Sequence, residues 1–270
     1  MLITRVITAI VLLVCLSFAC YFLPHQHLCW ILAGILMIMV YEAGVMYKFS
    51  KRELGSLLLL NLLIILAVQC LQNTSNMDYL NHWNIIMMIF RILTFCLWLV
   101  MAPIILWSQA KLSKLQLSIL ISLITLTSYN AFHYLFDKYG IFEIFTMLAI
   151  AWVADTAAYF VGKLLGKHKI APAISPGKSW EGAIGAFIAC GIYVITLQYY
   201  SIITYVLSPL FGVMFAIFIT AVSIEGDFLE SWCKRVAEVK DSGKILPGHG
   251  GVWDRIDSLV AVLAVSFMLL

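Results

Sequence analysis

The chain has 270 residues, of which 63% are hydrophobic and only 11% are charged, and its mean hydropathy is +0.99. This composition excludes an ordinary soluble domain and predicts an all-α, polytopic integral membrane protein. The formal net charge of +3 is small and no basic tail is present, so nucleic acid is not expected as a partner.

Hydrophobic runs long enough to cross a membrane recur along the whole chain and predict about nine helices. In chain order, the predicted spans are 4–23, 27–47, 55–71, 84–107, 115–135, 141–164, 181–199, 203–226 and 252–270. Similar runs follow the first one along the whole chain, which argues against interpreting 4–23 as a cleaved signal peptide.

Lysine and arginine residues gather in the connections that follow the even-numbered spans. Lys48, Lys51 and Arg52 follow the second span, for example, whereas the connections after the first, third and seventh spans contain no lysine or arginine. Because positive loops stay on the cytosolic side, this alternation predicts a cytosolic N-terminus and an external C-terminus.

Polar residues are concentrated in the second half of the chain. We predict an N-terminal membrane region at 1–135 with about five helices, and a C-terminal catalytic region at 136–270 with about four helices and cytosolic loops. No internal repeat is convincing, which weighs against a secondary transporter built from repeated halves.

Several isolated residues carry weak signals. Cys20 and Cys29 flank a short external turn and could pair, although the cysteines are better interpreted as small buried hydrophobes. Glu42, near the cytosolic end of the second span, is expected to be partly solvated. The histidines His25, His27, His82 and His133 show no metal-ligand spacing.

The segment 155–182 contains a first group of candidate substrate-binding residues. Asp155 lies about two turns inside the sixth span, where a carboxylate is costly and usually functional. The run SPGKSWEG resembles part of a P-loop, but Pro172 stands where the first glycine is required and no strand is expected before it, so we reject a P-loop. A loop before a helix can still bind phosphate. The candidates are Asp155, Lys167, Ser175, Lys178 and Glu181.

Charged residues are densest in the segment 223–257, where carboxylates alternate with lysine and arginine. A membrane protein places charge at this density where chemistry or transport requires it. Asp227 and Asp254 are candidate Mg²⁺ ligands with Ser231 as a nearby oxygen donor, because Mg²⁺ favours one or two carboxylates completed by water and phosphate. The alternative is that each aspartate caps a helix or pairs with a neighbouring cation.

The helices that flank this segment are predicted to extend into it. The last span must begin near Val252, because the residues after Ser258 are too few to cross ~30 Å of hydrocarbon at ~1.5 Å per residue. The preceding helix has no proline after Phe211 and can continue to about Glu238. Each helix can then offer a carboxylate at the cytosolic boundary of the membrane.

Cations in this segment are candidate phosphate contacts, with Lys234, Arg235 and Arg255 stronger than Lys240 and Lys244. The positive-inside bias explains any one of these residues, but it does not explain their interleaving with carboxylates.

The run PGHGG at 247–251 is predicted to form a turn before the last helix. Its glycines allow the backbone to approach a ligand closely, and amides at a helix N-terminus favour an anion. His249, Gly250 and Gly251 are therefore candidate contacts to a phosphate or a leaving group.

The pattern S-x-x-KR-x₄-KD-x₅-PGHGG-x-x-DR-x-D, from Ser231 to Asp257, resembles the signature of the phosphatidate cytidylyltransferases, also called CDP-diacylglycerol synthases. The runs DTAAYFVGKLLGK and SPGKSWEG resemble other recurring blocks of that family, whereas the first five spans resemble it only in being hydrophobic. The resemblance implies transfer of CMP from CTP to phosphatidate, which gives CDP-diacylglycerol and pyrophosphate.

The resemblance also implies cofactors, partners and residue roles. It implies Mg²⁺ held by Asp227 and Asp254 beside Ser231, a second cation such as K⁺, and a homodimer. The implied active-site residues are Lys234, Arg235, Asp241, His249, Arg255 and Asp257, completed by Asp155 and Lys178. A short chain without long soluble extensions suits a bacterial inner membrane, with the active site facing the cytosol.

Other function classes stay open. A CTP-dependent lipid kinase would use similar contacts but would release CDP instead of pyrophosphate. An ion-coupled transporter would use Asp155 and the pair Asp227 and Asp254 as a cation path, although the clustering of charge on the cytosolic side argues against it. A CDP-alcohol phosphotransferase is not favoured, because its DG-x₂-AR spacing is absent.

Overall fold

The computed structural model describes residues 18–72, 80–206, 208–246, 248 and 250–270. Its helices are α1 (His25–Met46), α2 (Lys51–Gln72), α3 (Leu80–Phe95), α4 (Ala102–Ser108), α5 (Lys114–Leu165), α6 (Trp180–Tyr199), α7 (Pro209–Val236) and α8 (Trp253–Leu269). A π-helical turn, Cys96–Met101, joins α3 to α4, and two short strands, β1 (Lys169–Ala171) and β2 (Ser175–Ser179), precede α6. Most of the predicted first span, His249 and the side chain of His82 lie outside the described residues.

Among the described residues, six helical stretches are long and apolar enough to cross a membrane. Their exposed faces carry large apolar side chains, such as Leu60 and Leu63 of α2 and Ile85 and Met88 of α3. Helices that are apolar all round are suited to lipid, in which their backbone groups are satisfied internally. The chain is therefore an all-α, polytopic integral membrane protein with one small β-hairpin, while the number of nine spans stays a prediction.

Helix α5 is 52 residues long and is interrupted at Gly140. The φ of Gly140 is 82° and its ψ is 172°, a conformation that a residue with a side chain rarely adopts. The interruption lies between the predicted spans 115–135 and 141–164. These two spans therefore correspond to the two halves of α5, each of which has the ~20 residues needed to cross a bilayer.

The ends of α7 and α8 agree with the sequence prediction. Helix α7 ends at Val236, and the positive φ of 59° at Glu238 closes off further helix. Helix α8 begins at Trp253, one residue from the predicted start.

One expectation about the segment before α6 is wrong. No strand is expected there from the sequence, yet β1 and β2 form an antiparallel hairpin with Lys169 opposite Ser179 and Ala171 opposite Ser175. The run SPGKS is itself the strand β2, so it does not form a glycine-rich phosphate loop. Ser179 instead caps α6, because its hydroxyl accepts a hydrogen bond from the amide of Gly182 at 3.2 Å.

The described residues divide into two compact units. The first unit contains the described residues up to Leu93 together with Lys111–His133 and Cys233–Ile256, and the second contains Thr94–Ala110, Tyr134–Trp232 and Asp257–Leu270. The predicted regions 1–135 and 136–270 were drawn from the distribution of polar residues and not from compact units. Their division stays a prediction.

Each unit has an apolar core. Leu36 of α1, Ile65 of α2 and Leu120 of α5 are fully buried in the first unit, as are Ile219 of α7 and Ala264 of α8 in the second. Lipid is as apolar as these side chains, so their burial stabilises the protein through close packing more than through removal from water.

Candidate functional site

In the second unit, charged side chains gather around Asp227 of α7. Lys178 of β2 places its Nζ 2.6 Å from Asp227 Oδ2. Ser231, one turn further along α7, donates a hydrogen bond to Asp227 Oδ1 at 3.2 Å. Lys178 also lies 4.5 Å from the centroid of the Phe228 ring. Lys178 and Ser231, which the sequence singles out separately, therefore meet on the same carboxylate.

Two further carboxylates, Glu230 of α7 and Asp257 of α8, join Asp227. Each of the three residues offers a carboxylate oxygen, and these oxygens lie within 4.8 Å of one another. Gly226 permits this approach of α7 to α8, because a Cβ at that position would lie 2.6 Å from the backbone oxygen of Asp257. A larger residue at position 226 would separate the two helices that carry the cluster.

Asp155 of α5 belongs to the same cluster. It lies within electrostatic range of Lys178 and Asp227, and Asp257 lies within range of all three. The cluster thus combines four carboxylates with one lysine. Glu230 is buried and Asp155 is exposed, and the other members of the cluster are partly buried. This excess of negative charge favours a further cation or a proton that offsets it.

The donor chemistry of the cluster fits a hard divalent cation. Mg²⁺ takes oxygen ligands at ~2.0–2.1 Å in an octahedron, so its ligand oxygens lie ~2.9–4.1 Å from one another. Carboxylate oxygens of Asp227, Glu230 and Asp257 within 4.8 Å of each other are close to that arrangement. The hydroxyl of Ser231 adds an uncharged oxygen beside them. Two of the predicted Mg²⁺ ligands, Asp227 and Ser231, are therefore together. Asp257, which the resemblance suggested as an active-site residue, is an additional donor beside them.

In the first unit, Asp254 of α8 makes a second polar cluster with Lys234 of α7. Lys234 Nζ lies 2.7 Å from Asp254 Oδ1, and the two side chains are only 16% and 6% exposed. Asp254 Oδ2 accepts hydrogen bonds from the amides of Ser242 at 3.0 Å and Gly251 at 2.9 Å. Asp254 thus makes the contacts of the alternative interpretation, a helix-end residue paired with a lysine, and its role as a metal ligand stays a prediction.

Glu42 of α1 holds the loop that carries Ser242 and the start of α8. Its carboxylate accepts hydrogen bonds from the Ser242 hydroxyl at 3.2 Å, the Val252 amide at 3.0 Å and the Trp253 amide at 2.9 Å. It satisfies amides at the N-terminus of α8 that have no partner within the helix, and its negative charge complements the helix dipole. The expectation that Glu42 is partly solvated is wrong, since the residue is 2% exposed.

The glycines of the PGHGG run make room for these side chains. Gly250 has a φ of 87°, and a Cβ there would lie 2.8 Å from Asp254 Oδ2. A Cβ at Gly251 would meet Ser242 Oγ and would lie 2.6 Å from Glu42 Oε2. These glycines therefore do allow a close approach, as predicted. In the described residues, however, the groups that approach them are carboxylates and a hydroxyl of the protein and not a ligand.

A cleft of about 720 Å³ in the first unit opens beside this cluster. Its walls include Glu42, Asp241 and the basic residues Lys48, Lys240 and Lys244. A volume of this size is within the range of small-molecule sites, and the lysines make it attractive to an anion. Asp241, predicted as an active-site residue, lines this cleft.

The other predicted residues occupy more exposed places. Arg235 and Arg255 are exposed. Lys167 lines an open cleft of about 790 Å³ in the second unit with Trp180 and Glu181. Glu181 pairs with His168 Nδ1 at 2.7 Å and holds the base of the hairpin, while Ser175 lies opposite Ala171 within the hairpin. Glu181 therefore has a structural contact with His168. Its role in substrate binding stays a prediction.

Sequence reasoning missed Glu42 and Glu230. Glu42 is a carboxylate inside a long apolar run, where a charged residue is functional by default, and Glu230 stands in the charged segment 223–257, so the signal was present in both cases. For Glu42, the position near a helix end outweighed this signal. For Glu230, stronger candidates in the same segment outweighed it.

The fold and the two clusters define a polytopic membrane protein whose apolar helices carry partly buried pairs of lysine and aspartate. Residues 3–270 match the model of the cytidylyltransferase family, so the chain belongs to that family.

Relatives that match this chain bear the name phosphatidate cytidylyltransferase. One from Haemophilus influenzae is 43% identical over 134 residues, which cover 48% of this chain and 46% of the relative. One from Brucella suis is 44% identical over 49% of this chain and 48% of the relative. One from Bacillus subtilis is 39% identical over 52% of this chain and 53% of the relative. Each match thus spans about half the length of the relative.

Proposed function

We propose that this protein is a phosphatidate cytidylyltransferase, which transfers CMP from CTP to phosphatidate and releases pyrophosphate. The observation that carries the proposal is the cluster in which Asp227, Asp257 and Lys178 meet. Asp257 belongs to the segment that resembles the family signature, and Lys178 belongs to the run SPGKSWEG, which resembles another block of that family. The names of the relatives support the same reaction.

The proposed reaction is a direct displacement at phosphorus. A phosphate oxygen of phosphatidate attacks the α-phosphorus of CTP, a new P–O bond forms, and the bond to the β-phosphate breaks with the electron pair leaving on pyrophosphate. This chemistry needs little covalent help from the protein, because positioning and charge stabilisation supply most of the rate. No protein nucleophile is required.

The chain's own residues have two tasks in this proposal. The carboxylates of Asp227 and Asp257, with the hydroxyl of Ser231, hold Mg²⁺, and the sequence adds Asp254 as a further ligand. An Mg²⁺ ion held by these residues would supply positive charge that offsets the charge developing on pyrophosphate. Four carboxylates exceed the one or two that Mg²⁺ usually takes, which leaves ligands for a second cation such as K⁺.

Cations of the protein hold the two anionic substrates, which repel each other in solution. Lys178 and Lys234 each pair with an aspartate, and substrate phosphates offer them alternative partners of the same charge. Arg235 and Arg255 are exposed and present planar forks that suit phosphate oxygens. His249 stays a candidate for contact with the leaving group.

The proposed location is a bacterial inner membrane with the active site on the cytosolic face. The lysines and arginines that follow the even-numbered spans support this orientation. CTP is a water-soluble cytosolic nucleotide, whereas phosphatidate keeps its tails in lipid, so a site at that boundary reaches both. A homodimer is part of the proposal and is tested by chemical cross-linking in native membranes.

The proposal is tested by measuring pyrophosphate release from the purified full-length protein in detergent with CTP, phosphatidate and Mg²⁺. We expect release that requires all three, with CDP-diacylglycerol in the lipid extract. Release of CDP with a phosphorylated lipid would instead favour a lipid kinase. Cation flux in proteoliposomes without nucleotide, and no turnover of CTP, would favour a transporter.

A further inference from the structure

A second group of metal-ligating side chains lies in the first unit. His25 and Cys29 are one turn apart on α1, and His133 lies on the first half of α5. Each offers one donor atom, and the three donor atoms lie within 4.8 Å of one another. We propose that this group is a binding site for a borderline transition-metal ion, with Zn²⁺ as the representative.

The distance between two of the donors matches a shared metal ion. Cys29 Sγ lies 3.6 Å from His133 Nδ1. With Zn–S ~2.3 Å, Zn–N ~2.05 Å and a tetrahedral angle, sulfur and nitrogen on one zinc ion are ~3.6 Å apart. A hydrogen bond from the thiol to the ring nitrogen has a similar length, so the argument also needs the other contacts of His133.

Those contacts fix which ring nitrogen of His133 is free to bind. His133 Nε2 lies 3.0 Å from Gln69 Oε1, and the same oxygen accepts a hydrogen bond from the Tyr129 hydroxyl at 2.7 Å. An amide oxygen only accepts, so Nε2 carries the proton and the lone pair of Nδ1 points towards Cys29. A histidine that donates through one nitrogen to a fixed acceptor, and presents the other, is the usual arrangement of a metal ligand.

His25 supplies the third ligand and the route by which a metal ion enters the site. Its ring lies 5.1 Å from the ring of His133, between centroids. Cys29 and His133 are 0% and 2% exposed, whereas His25 is only partly buried. A metal ion that reaches His25 from outside therefore meets two buried ligands, and the fourth position of a tetrahedron is left for water.

This group differs in chemistry from the proposed Mg²⁺ site, and within the first unit it is separate from the cluster around Glu42. Cys29 and Glu42 lie on the same helix, about 20 Å apart along its axis at ~1.5 Å per residue. Thiolate and imidazole favour Zn²⁺ and related ions, whereas carboxylates favour Mg²⁺. An ion at Cys29 would join the start of α1 to the first half of α5.

Binding of the metal ion releases one proton from the protein. The Cys29 thiol releases its proton to solvent, the sulfur electron pair binds the metal ion, and both histidines bind as neutral rings. No oxidant or reductant is involved.

The histidines were not suspected from the sequence because Cys29 and His133 are 104 positions apart. The spacing of His25 and Cys29 already placed those two residues on one helix face.

The experiment uses Co²⁺ as a spectroscopic probe on the purified full-length protein in detergent, after treatment with a chelator and a reductant. We expect one Co²⁺ per chain with a sulfur-to-cobalt charge-transfer band in the near ultraviolet. Zn²⁺ should abolish the band, and an excess of Mg²⁺ should not. Co²⁺ bound only to carboxylates gives no such band, so the two sites are distinguishable.

Variants identify the ligands. Cys29→Ser should abolish the band, His133→Gln should abolish it or weaken Co²⁺ binding at least tenfold, and His25→Gln should weaken binding. Cys96→Ser is the matched control, because Cys96 is an exposed cysteine outside the group, and it should retain the full band. The proposal is overturned if the wild-type protein shows no charge-transfer band, or if Cys29→Ser retains it. The wild-type result stands even where a variant fails to fold.

Discussion

Glu42 accepts a hydrogen bond from the backbone amide of Trp253 at 2.9 Å, although the two residues are 211 positions apart in the chain. The same carboxylate binds the Val252 amide and the Ser242 hydroxyl. Asp254 follows directly on α8, and one of its oxygens binds the amide of Ser242. A carboxylate from α1 therefore fixes the position of the loop and helix start that carry Asp254, a predicted metal ligand.

Glu42→Gln should destabilise the protein and reduce turnover without removing a substrate contact. A glutamine side chain has one acceptor oxygen, and its amide nitrogen would face a backbone amide or hydroxyl that needs an acceptor. Leaving one buried donor unsatisfied costs about 1–3 kcal/mol. The measurement is the free energy of unfolding in mixed detergent, together with kcat for pyrophosphate release. Glu53→Gln is the control, because Glu53 is half exposed and pairs with Lys114; an equal loss of stability in both variants would contradict the role of Glu42.

Gly251→Ala should destabilise the protein for a steric reason. The added methyl group would meet Ser242 Oγ and lie 2.6 Å from Glu42 Oε2, inside a buried polar cluster. Overpacking of this kind typically costs about 1–3 kcal/mol. The matched change is Gly55→Ala on α2, where a Cβ meets nothing within 4 Å and helix propensity favours alanine by about 1 kcal/mol. The unfolding free energies of the two variants should therefore move in opposite directions, and a neutral Gly251→Ala would show that the loop is looser than described.

The helices and their ends could be predicted from the sequence because they depend on local pattern. Apolar run lengths predicted the long apolar helices that the described residues contain, and α8 begins one residue from its predicted start at Val252. Long-range contacts could not be predicted in this way. Lys178 and Asp227 were each singled out, but nothing in their spacing indicates that β2 meets α7. The position of Glu42 suggested solvent, because a single sequence does not show what packs on a helix end.

Asp227→Ala should abolish pyrophosphate release while the protein still inserts into membranes and unfolds at a similar temperature. Asp227 lies at the centre of the carboxylate cluster, and losing a metal ligand should remove several kcal/mol of transition-state stabilisation, which is a ~100-fold loss of kcat or more. The measurement is kcat against Mg²⁺ concentration. Asp137→Asn is the control, because Asp137 is exposed and carries no predicted role. Near-normal turnover of purified Asp227→Ala would show that the cluster does not hold the catalytic metal.

Lys234→Met should destabilise the protein more than Asp254→Asn does. Removing the lysine leaves Asp254, whose side chain is 6% exposed, as a buried charge without its cation, and breaking one partner of a buried pair costs about 3–5 kcal/mol. Asp254→Asn keeps the amides of Ser242 and Gly251 partly satisfied and leaves Lys234, which is 16% exposed, nearer to solvent.

The double variant should recover part of the stability lost in Lys234→Met, because the carboxylate that lost its lysine is then absent. A double-mutant cycle on the unfolding free energy measures this coupling. Strictly additive losses would mean that the ion pair contributes nothing to the folded state, and that Lys234 is held in place for its proposed contact with phosphate alone.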